Sequence, residues 1–87
     1  MTVDEAKRLR YHQEIYEIGE YNADGTARRW RVSGAVKTWK RDPNRVRVPI
    51  KHGLYANGAI EAWNARYFTT REPASRKAER SKALRRR

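Results

Sequence analysis

The sequence predicts a small α+β domain, and three observations lead to that class. The chain opens with a helix-start pattern, valine-rich stretches alternate with basic residues on both sides of a turn signal, and Ala59 to Arg66 has helical spacing. With 87 residues the chain forms one domain at most, with a thin core. We therefore expect an N-terminal helix, a small antiparallel sheet or half-open barrel of SH3 or OB type with a central hairpin, a short second helix and a basic C-terminal tail.

The N-terminal helix has a well-marked start. Thr2 and Glu5 fit a capping box, and Asp4 and Glu5 lie where the helix dipole favours acidic side chains. Gly19 would end this helix, but the apolar positions before it spread over more than half of a helical wheel. A shorter helix followed by a strand from Glu14 to Tyr21 fits nearly as well, so both alternatives stay open.

A turn and a strand follow. The residues of Asn22-Ala23-Asp24-Gly25 tolerate turn and left-handed conformations. Arg28 to Ser33 then predicts a strand with Trp30 and Val32 on one face and two arginines on the other. Gly34 interrupts this pattern, which predicts a bulge or a tight bend.

The central hairpin is the strongest structural signal. Pairing Val36 with Ile50 leaves Asp42-Pro43-Asn44 as a three-residue loop. Because Pro49 cannot donate to a ladder, the second arm is expected to be an edge strand or to bend there. Alternation leaves valines and isoleucine on one face. The other face is basic and carries one aromatic ring: Lys37, Trp39, Arg41, Arg45, Arg47 and Lys51.

The chain from Leu54 to Thr70 is expected to complete the folded domain. Ala59 to Arg66 predicts the second helix, and Phe68 to Thr70 predicts a short closing strand. Two tryptophans, Trp30 and Trp63, are expected to supply much of the buried apolar area. The remaining expected core residues are Val32, Val36, Val46, Val48, Ile50, Leu54, Ile60 and Phe68.

Composition changes sharply after residue 70. Residues 71–87 contain eight Lys or Arg, two Glu and very few apolar side chains, so they cannot form a core. We expect two units, a folded nucleic-acid-binding domain over 1–70 and a tail over 71–87 that is disordered when free or helical on binding. Pro73 would allow a helix to start just after it.

Several functional classes are not expected. The chain has no cysteine and two histidines, which removes disulfides and thiolate chemistry, and no carboxylate pattern places a general acid and base near either histidine. The sequence lacks a phosphate-binding glycine loop and a metal motif. It also lacks a long apolar run and a signal peptide. We expect a cytoplasmic protein that is not an enzyme, has no cofactor or metal and does not act on membranes.

The formal charge of +11 indicates an anionic partner. Lys and Arg neutralise phosphates, and an indole such as Trp39 offers a surface on which an unpaired base can stack. Arg47 could instead lie over Trp39 in a cation-π contact on a solvated face that binds nothing. His52 could donate to a phosphate or simply cap a strand. The expected nucleic-acid-binding residues are Lys37, Trp39, Arg41, Arg45, Arg47, Lys51, His52, Arg76, Lys77, Arg80, Lys82, Arg85, Arg86 and Arg87.

The segment WRVSGAVKTWKRDPNRVRVPIKHGLY, residues 30–55, resembles part of the small basic proteins encoded by tailed bacteriophages of actinobacteria. Trp39-Lys40-Arg41 and the exit Pro49-Ile50-Lys51-His52-Gly53-Leu54-Tyr55 carry the resemblance. It covers about a third of the chain and implies an origin more than an activity. For a phage product it implies a role in the host cytoplasm, such as binding DNA or inhibiting a host enzyme.

The leading functional hypothesis is a nucleic-acid-binding protein, for DNA or RNA, that contacts mainly the phosphate backbone. One alternative is a small basic inhibitor that docks in an acidic or DNA-binding groove of a host protein. Another is a component of the ribosome or of a different ribonucleoprotein. The oligomeric state stays open, because nothing selects pairing through an edge strand.

Overall fold

The computed structural model describes residues 1–54 and 56–75, and antiparallel strands make up about half of this part of the chain. One short helix, α1, spans Val3–Lys7. The six strands and one 3₁₀ turn that follow are β1 Glu14–Tyr21, β2 Ala27–Val32, β3 Lys37–Trp39, β4 Asp42–His52, β5 Ala56–Glu61, the turn Ala65–Tyr67 and β6 Phe68–Thr69.

The predicted α+β class with two helices is therefore wrong. Strands account for 49% of the described residues, against one five-residue helix and one 3₁₀ turn. The predicted helix from Ala59 to Arg66 is the end of β5 followed by that turn. Its helical spacing does not mark a buried stripe, because Ile60 is fully buried whereas Trp63 is 70% and Tyr67 46% exposed. Pairing of β5 with β4 along its whole length overrides the weak local preference for helix.

At the N-terminus the structure adopts the shorter-helix alternative. The capping box is confirmed: Glu5 N donates to Thr2 Oγ1 and Thr2 N donates to Glu5 Oε1, each at 3.1 Å. Gly19 does not end a helix. It lies inside β1 with φ 81°, where the pairing of β1 with β2 is irregular, and this left-handed conformation favours glycine.

Strand β4 is the centre of the sheet, whose order is β3-β4-β2-β1-β6 with β5 also paired to β4. One edge of β4 pairs with β5, and the other edge pairs first with β3 and then with β2. The prediction of an edge strand at Pro49 is thus wrong. The Pro49 carbonyl accepts from Ser33 N at 2.9 Å. Pro49 directly adjoins the last pair of β2 with β4, Val32 with Ile50, so the residue without an N–H lies where this ladder ends.

Gly34 lies in the bend between β2 and β3. A Cβ atom at this position would lie 2.9 Å from Cγ of Pro49. The two residues therefore pack backbone against ring, and the glycine allows the chain to pass close to β4.

The central hairpin is present, but its register and turn differ from the prediction. Lys37 pairs with Arg47, two residues away from the predicted partner, and Trp39 lies opposite Asp42. The turn is at Lys40 and Arg41, and residues 43–45 are extra residues in β4. Asp42 Oδ1 accepts from Asn44 N at 3.3 Å, and Lys7 of α1 donates to the Pro43 carbonyl. These contacts hold the predicted loop residues against the fold.

Because the register differs by two residues, the side chains of β4 from Arg45 onward lie on the faces that alternation predicts, whereas Thr38 is exposed and Arg41 lies in the turn. A shift of two leaves every side chain on its own face. Val46, Val48 and Ile50 are buried, whereas Arg45 and Arg47 are exposed.

The core lies between the inner face of this sheet and α1. Its fully buried large side chains are Ile15, Val32, Val46, Val48, Ile50 and Ile60. Trp30 packs at its edge, 6.3 Å from the Phe68 ring and edge-on to it. Two predicted core residues are not in the core, because Leu54 is 91% exposed and Trp63 lies on the surface.

The tail predicted over 71–87 is described only as far as residue 75, so the prediction about its later part lies outside the described residues. Within residues 1–54 and 56–75, no helix has the length and apolar character needed to cross a membrane.

Candidate nucleic-acid interface

Cations from three strands lie side by side on the outer face of the sheet, which is the face opposite the buried Val46, Val48 and Ile50. Arg47 of β4 is directly opposite Lys37 of β3, and Lys51 of β4 is directly opposite Arg31 of β2. Directly opposed residues in antiparallel strands share a face, and Arg29 shares it with Arg31 because side chains repeat every second residue. These residues form the basic row: Lys37, Arg47, Lys51, Arg31 and Arg29.

One end of the basic row opens into a groove of about 550 Å³ that contains two tryptophans. We call it the tryptophan groove; the residues that define it are Lys37, Trp39, Arg45, Arg47, Glu61 and Trp63. Trp39 is half-buried, and its ring centroid is 3.9 Å from the Arg45 guanidinium carbon and 5.4 Å from Lys37 Nζ.

The sequence left open a cation-π contact between Trp39 and Arg47 as an alternative to binding, and in the structure Arg45 makes this contact. The register and the extra residues 43–45 bring Arg45 to the ring. Arg47 instead contacts Glu61 on the neighbouring strand β5.

Glu61 accepts hydrogen bonds from two other residues that line the groove. Arg47 Nη1 donates to Glu61 Oε1 at 2.7 Å, and Trp63 Nε1 donates to Glu61 Oε2 at 3.2 Å. Both partners of the ion pair are more than a third exposed, so the pair stabilises the fold by at most about 1 kcal/mol. Its main effect is to orient the indole and to compensate the charge of Arg47.

A second cavity of about 460 Å³ lies at the other end of the basic row. We call it the arginine pocket; its defining residues are Glu14, Arg29, Arg31, Lys51 and His52. Glu14 Oε1 is 3.4 Å from Arg29 Nη1 and 3.9 Å from Arg31 Nη2. Among the described lining residues, three cations thus face a single carboxylate.

His52 has a partner inside the fold. Its Nδ1 lies 2.8 Å from the carbonyl oxygen of Arg29, and because a carbonyl only accepts, Nδ1 carries the hydrogen. The fold thus uses Nδ1 and leaves only Nε2 for a ligand. This geometry favours the strand-capping alternative for His52.

Tyr16, which pairs with Arg29 across β1 and β2, keeps its proton beside the arginine pocket. Burial raises the pKa of its phenol, and the negative charges of Glu72 and Glu14 raise it further. Tyr16 therefore adds no negative charge next to Arg29 at neutral pH.

The structure brings most of the described candidate residues together in these two cavities. Lys37, Trp39, Arg45 and Arg47 line the tryptophan groove, and Lys51 and His52 line the arginine pocket. Arg41 is exposed at the hairpin turn. Seven candidates lie outside the described residues: Arg76, Lys77, Arg80, Lys82, Arg85, Arg86 and Arg87.

Of the basic and aromatic residues that define the two cavities, three were not among the candidates: Arg29, Arg31 and Trp63. For the arginines the signal was present, because alternation in β2 sets them opposite Trp30 and Val32. For Trp63 the sequence carried no such signal, since the expected helix turned this ring toward the core.

In the part of the chain that the structure describes, no group of three or more His, Asp or Glu side chains could hold a metal ion. Comparison of the chain with protein-family models, with curated proteins and with solved structures found no match in any of the three. The resemblance of residues 30–55 to small basic phage proteins therefore stays a prediction.

Proposed function

We propose that this protein binds nucleic acid through the outer face of its sheet, mainly by contacts to the phosphate backbone. The observation that carries the proposal is the basic row, in which three adjacent strands contribute cations to one face. Its place of action in this proposal is the cytoplasm, which for a phage-encoded protein is that of the host.

The size and charge of the row suit a polyanion. Arg47 and Lys51 are four residues apart in β4, which corresponds to roughly 13 Å along the strand. DNA carries one negative charge per about 1.7 Å of duplex axis, so a duplex along this row presents more phosphates than the row has cations. Each neutralised phosphate releases counterions, which is the main source of affinity in such contacts.

Two carboxylates beside the basic row, Glu14 and Glu61, do not prevent this binding. Glu14 and Glu61 hold arginine side chains in place in the free protein, in exposed ion pairs that each contribute little to stability. A phosphate can replace them as a partner at small cost. The carboxylates thereby keep the guanidinium groups on the surface until the ligand arrives.

The salt dependence of binding tests the proposal. If the basic row alone makes about five phosphate contacts on a duplex, log K should fall with log salt at a slope of roughly −4 to −5, and any contacts from residues 76–87 should make the slope steeper. Fluorescence anisotropy with labelled DNA and RNA between low and moderate salt measures it. A flat response would contradict the proposal.

A matched pair of variants localises the contact. Lys51→Gln removes one cation of the basic row and should reduce the magnitude of the slope by about 0.9. Arg66→Gln removes one exposed cation beside Tyr67, away from the row, and should leave the slope unchanged. Equal effects of both variants would show that only net charge matters.

A protein partner is a second candidate function, and one observation favours it. Ile18, Trp63 and Tyr67 are 51%, 70% and 46% exposed, and they line a shallow depression with Glu17 and Glu20 at its rim. Exposed aromatic side chains of this kind are typical of binding hot spots. Retention of one defined protein from nuclease-treated lysate, with no direct binding of DNA or RNA, would support an inhibitor of a host protein over the first proposal.

A further inference from the structure

We infer that the tryptophan groove seats an unpaired base while the arginine pocket holds a phosphate of the same strand, so that the protein prefers single-stranded over double-stranded nucleic acid. This inference rests on the proposed function and specifies its ligand.

The indoles are held in place before any ligand arrives. Trp39 is half-buried with the Arg45 guanidinium over its ring at 3.9 Å. Trp63 is 70% exposed, but its Nε1 is bonded to Glu61, which is in turn bonded to Arg47. A large, oriented and exposed indole is a surface on which any base can stack, because every base has a π-face.

The charge of the groove suits a neutral base better than a phosphate. Of its described lining residues, Lys37, Arg45 and Arg47 are cationic, while Asp42 and Glu61 are anionic. Glu61 already compensates Arg47 at 2.7 Å. A phosphate in the groove would meet both carboxylates, whereas the amino groups of a base can donate to them.

The arginine pocket has a larger excess of positive charge. Arg29, Arg31 and Lys51 face only Glu14 among the described residues that line it. Guanidinium groups bind phosphate oxygens in a planar, two-pronged geometry. The more strongly positive cavity is therefore the phosphate site.

The surface between the cavities allows one strand to reach both. On β4 the residue between Arg47 and Lys51 on the outer face is Pro49, and its partner on β5 is Ala59. Both side chains are short and uncharged, so they form a low saddle. The distance along the strand is roughly 13 Å.

A duplex cannot use the groove in the same way. Its bases are stacked and paired, and extruding one base costs a few kcal/mol, a cost that is least for a base that is already single-stranded. A duplex could still use the basic row. The inference therefore predicts a difference between the two ligands rather than an absence of duplex binding.

The test measures binding of the full chain to a labelled single strand and to a duplex of the same length at one salt concentration. The single strand should bind at least about tenfold more tightly. Trp63→Ala should weaken single-strand binding by about fivefold to 150-fold, as expected for the loss of one stacked base, and should leave duplex binding unchanged. Trp63→Phe should restore part of the loss.

Two controls exclude a general effect of losing an aromatic ring and an effect of lost stability. Tyr11→Ala removes an exposed aromatic ring that does not line the groove and should change neither affinity. Because Trp63 is on the surface, the Tm of Trp63→Ala should be close to that of the unmodified protein. Trp39→Ala is less suitable for this test, because that ring is half-buried and its loss could also lower stability.

Each outcome decides between the two proposals. Equal affinity for single strand and duplex, or equal losses of both in Trp63→Ala, would overturn the single-strand inference and leave the proposed function standing. No binding of either ligand would overturn both.

Discussion

At the scale of single residues, Glu14 limits the charge of the arginine pocket. It is the carboxylate that contacts both Arg29 and Arg31. Because of these contacts it competes with a phosphate for the same two guanidinium groups.

Glu14→Gln should therefore tighten binding of nucleic acid. The expected gain is about twofold to tenfold at about 0.1 M salt, with a steeper salt slope, because up to one more phosphate is neutralised. Glu20→Gln makes the same charge change at a residue that contacts Arg28 and does not line either cavity. If both variants bound more tightly to the same extent in anisotropy titrations, Glu14 would have no specific role.

Glu5 provides a second prediction at this scale, for pH. Hydrogen bonds from Thr2 hold the pKa of the Glu5 carboxyl below its ordinary value of 4.5. Since the folded pKa is lowered, the stabilisation from Glu5 is present above the ordinary pKa and is lost as the pH falls through the lowered one. An NMR titration of the carboxyl should show this lowered pKa directly.

Variants of Thr2 separate the hydroxyl from the backbone in that titration. Thr2→Ala should move the pKa of Glu5 part of the way back to its ordinary value, because the backbone N–H remains. Thr2→Ser keeps the hydroxyl and should keep the lowered pKa. An unchanged pKa in Thr2→Ala would mean that the hydroxyl is irrelevant.

At the scale of elements, β1 depends on Gly19 to change its pairing with β2. The residue has φ 81°, and a Cβ atom there would have no neighbour within 4 Å. Any cost of a side chain at this position therefore comes from the backbone conformation and not from crowding.

Gly19→Ala should lower the free energy of unfolding by about 1 to 2 kcal/mol, which is the cost of a left-handed conformation for most residues. Gly19→Asn should cost less, because asparagine tolerates this conformation. Chemical denaturation of the three proteins measures the difference. Equal stability of all three would show that the backbone adjusts freely at this irregularity.

Strand β4 is the other decisive element. Its alternation of buried valines and exposed arginines is visible in the sequence, and so was the presence of a hairpin. The register was not, because two registers that differ by two residues leave the same side chains on each face. Contacts of Pro43 with α1 and of Pro49 with the chain after β2 select the observed one.

At the scale of the whole molecule, positive charge is divided between two parts of the chain. Residues 1–75 carry 14 Lys or Arg and 9 Asp or Glu, a net charge of +5, and residues 76–87 carry seven Lys or Arg and one Glu, a net charge of +6. The two parts should contribute differently to binding, because the cavities that can tell a base from a phosphate belong to the first part.

Replacing the seven basic residues of 76–87 by glutamine should weaken binding to single strand and duplex alike. The salt slope should become smaller by about 0.7 to 0.9 for each phosphate that is no longer neutralised. The ratio of the two affinities should not change. If this variant no longer preferred single strands, the preference would have to come from residues 76–87.

Local chemistry determined much of this protein. The capping box and the division of β4 into a buried and a basic face both follow from residues near one another in the chain. The capping box depends on hydrogen bonds between residues three apart in the chain. The two faces depend on the alternation of neighbouring side chains along a strand.

Only the tertiary structure decided the rest. Residues 56–61 form a strand because β4 offers a partner along the whole length, and that pairing outweighs a spacing that suggested a helix. Because of the same pairing, Trp63 lies on the wall of the tryptophan groove and not in the expected core. Arg29 and Arg31 belong to the basic row because the register of β2 and β4 sets Arg31 opposite Lys51. Contacts between residues distant in the chain determine which surface is assembled, and alternation alone does not specify them.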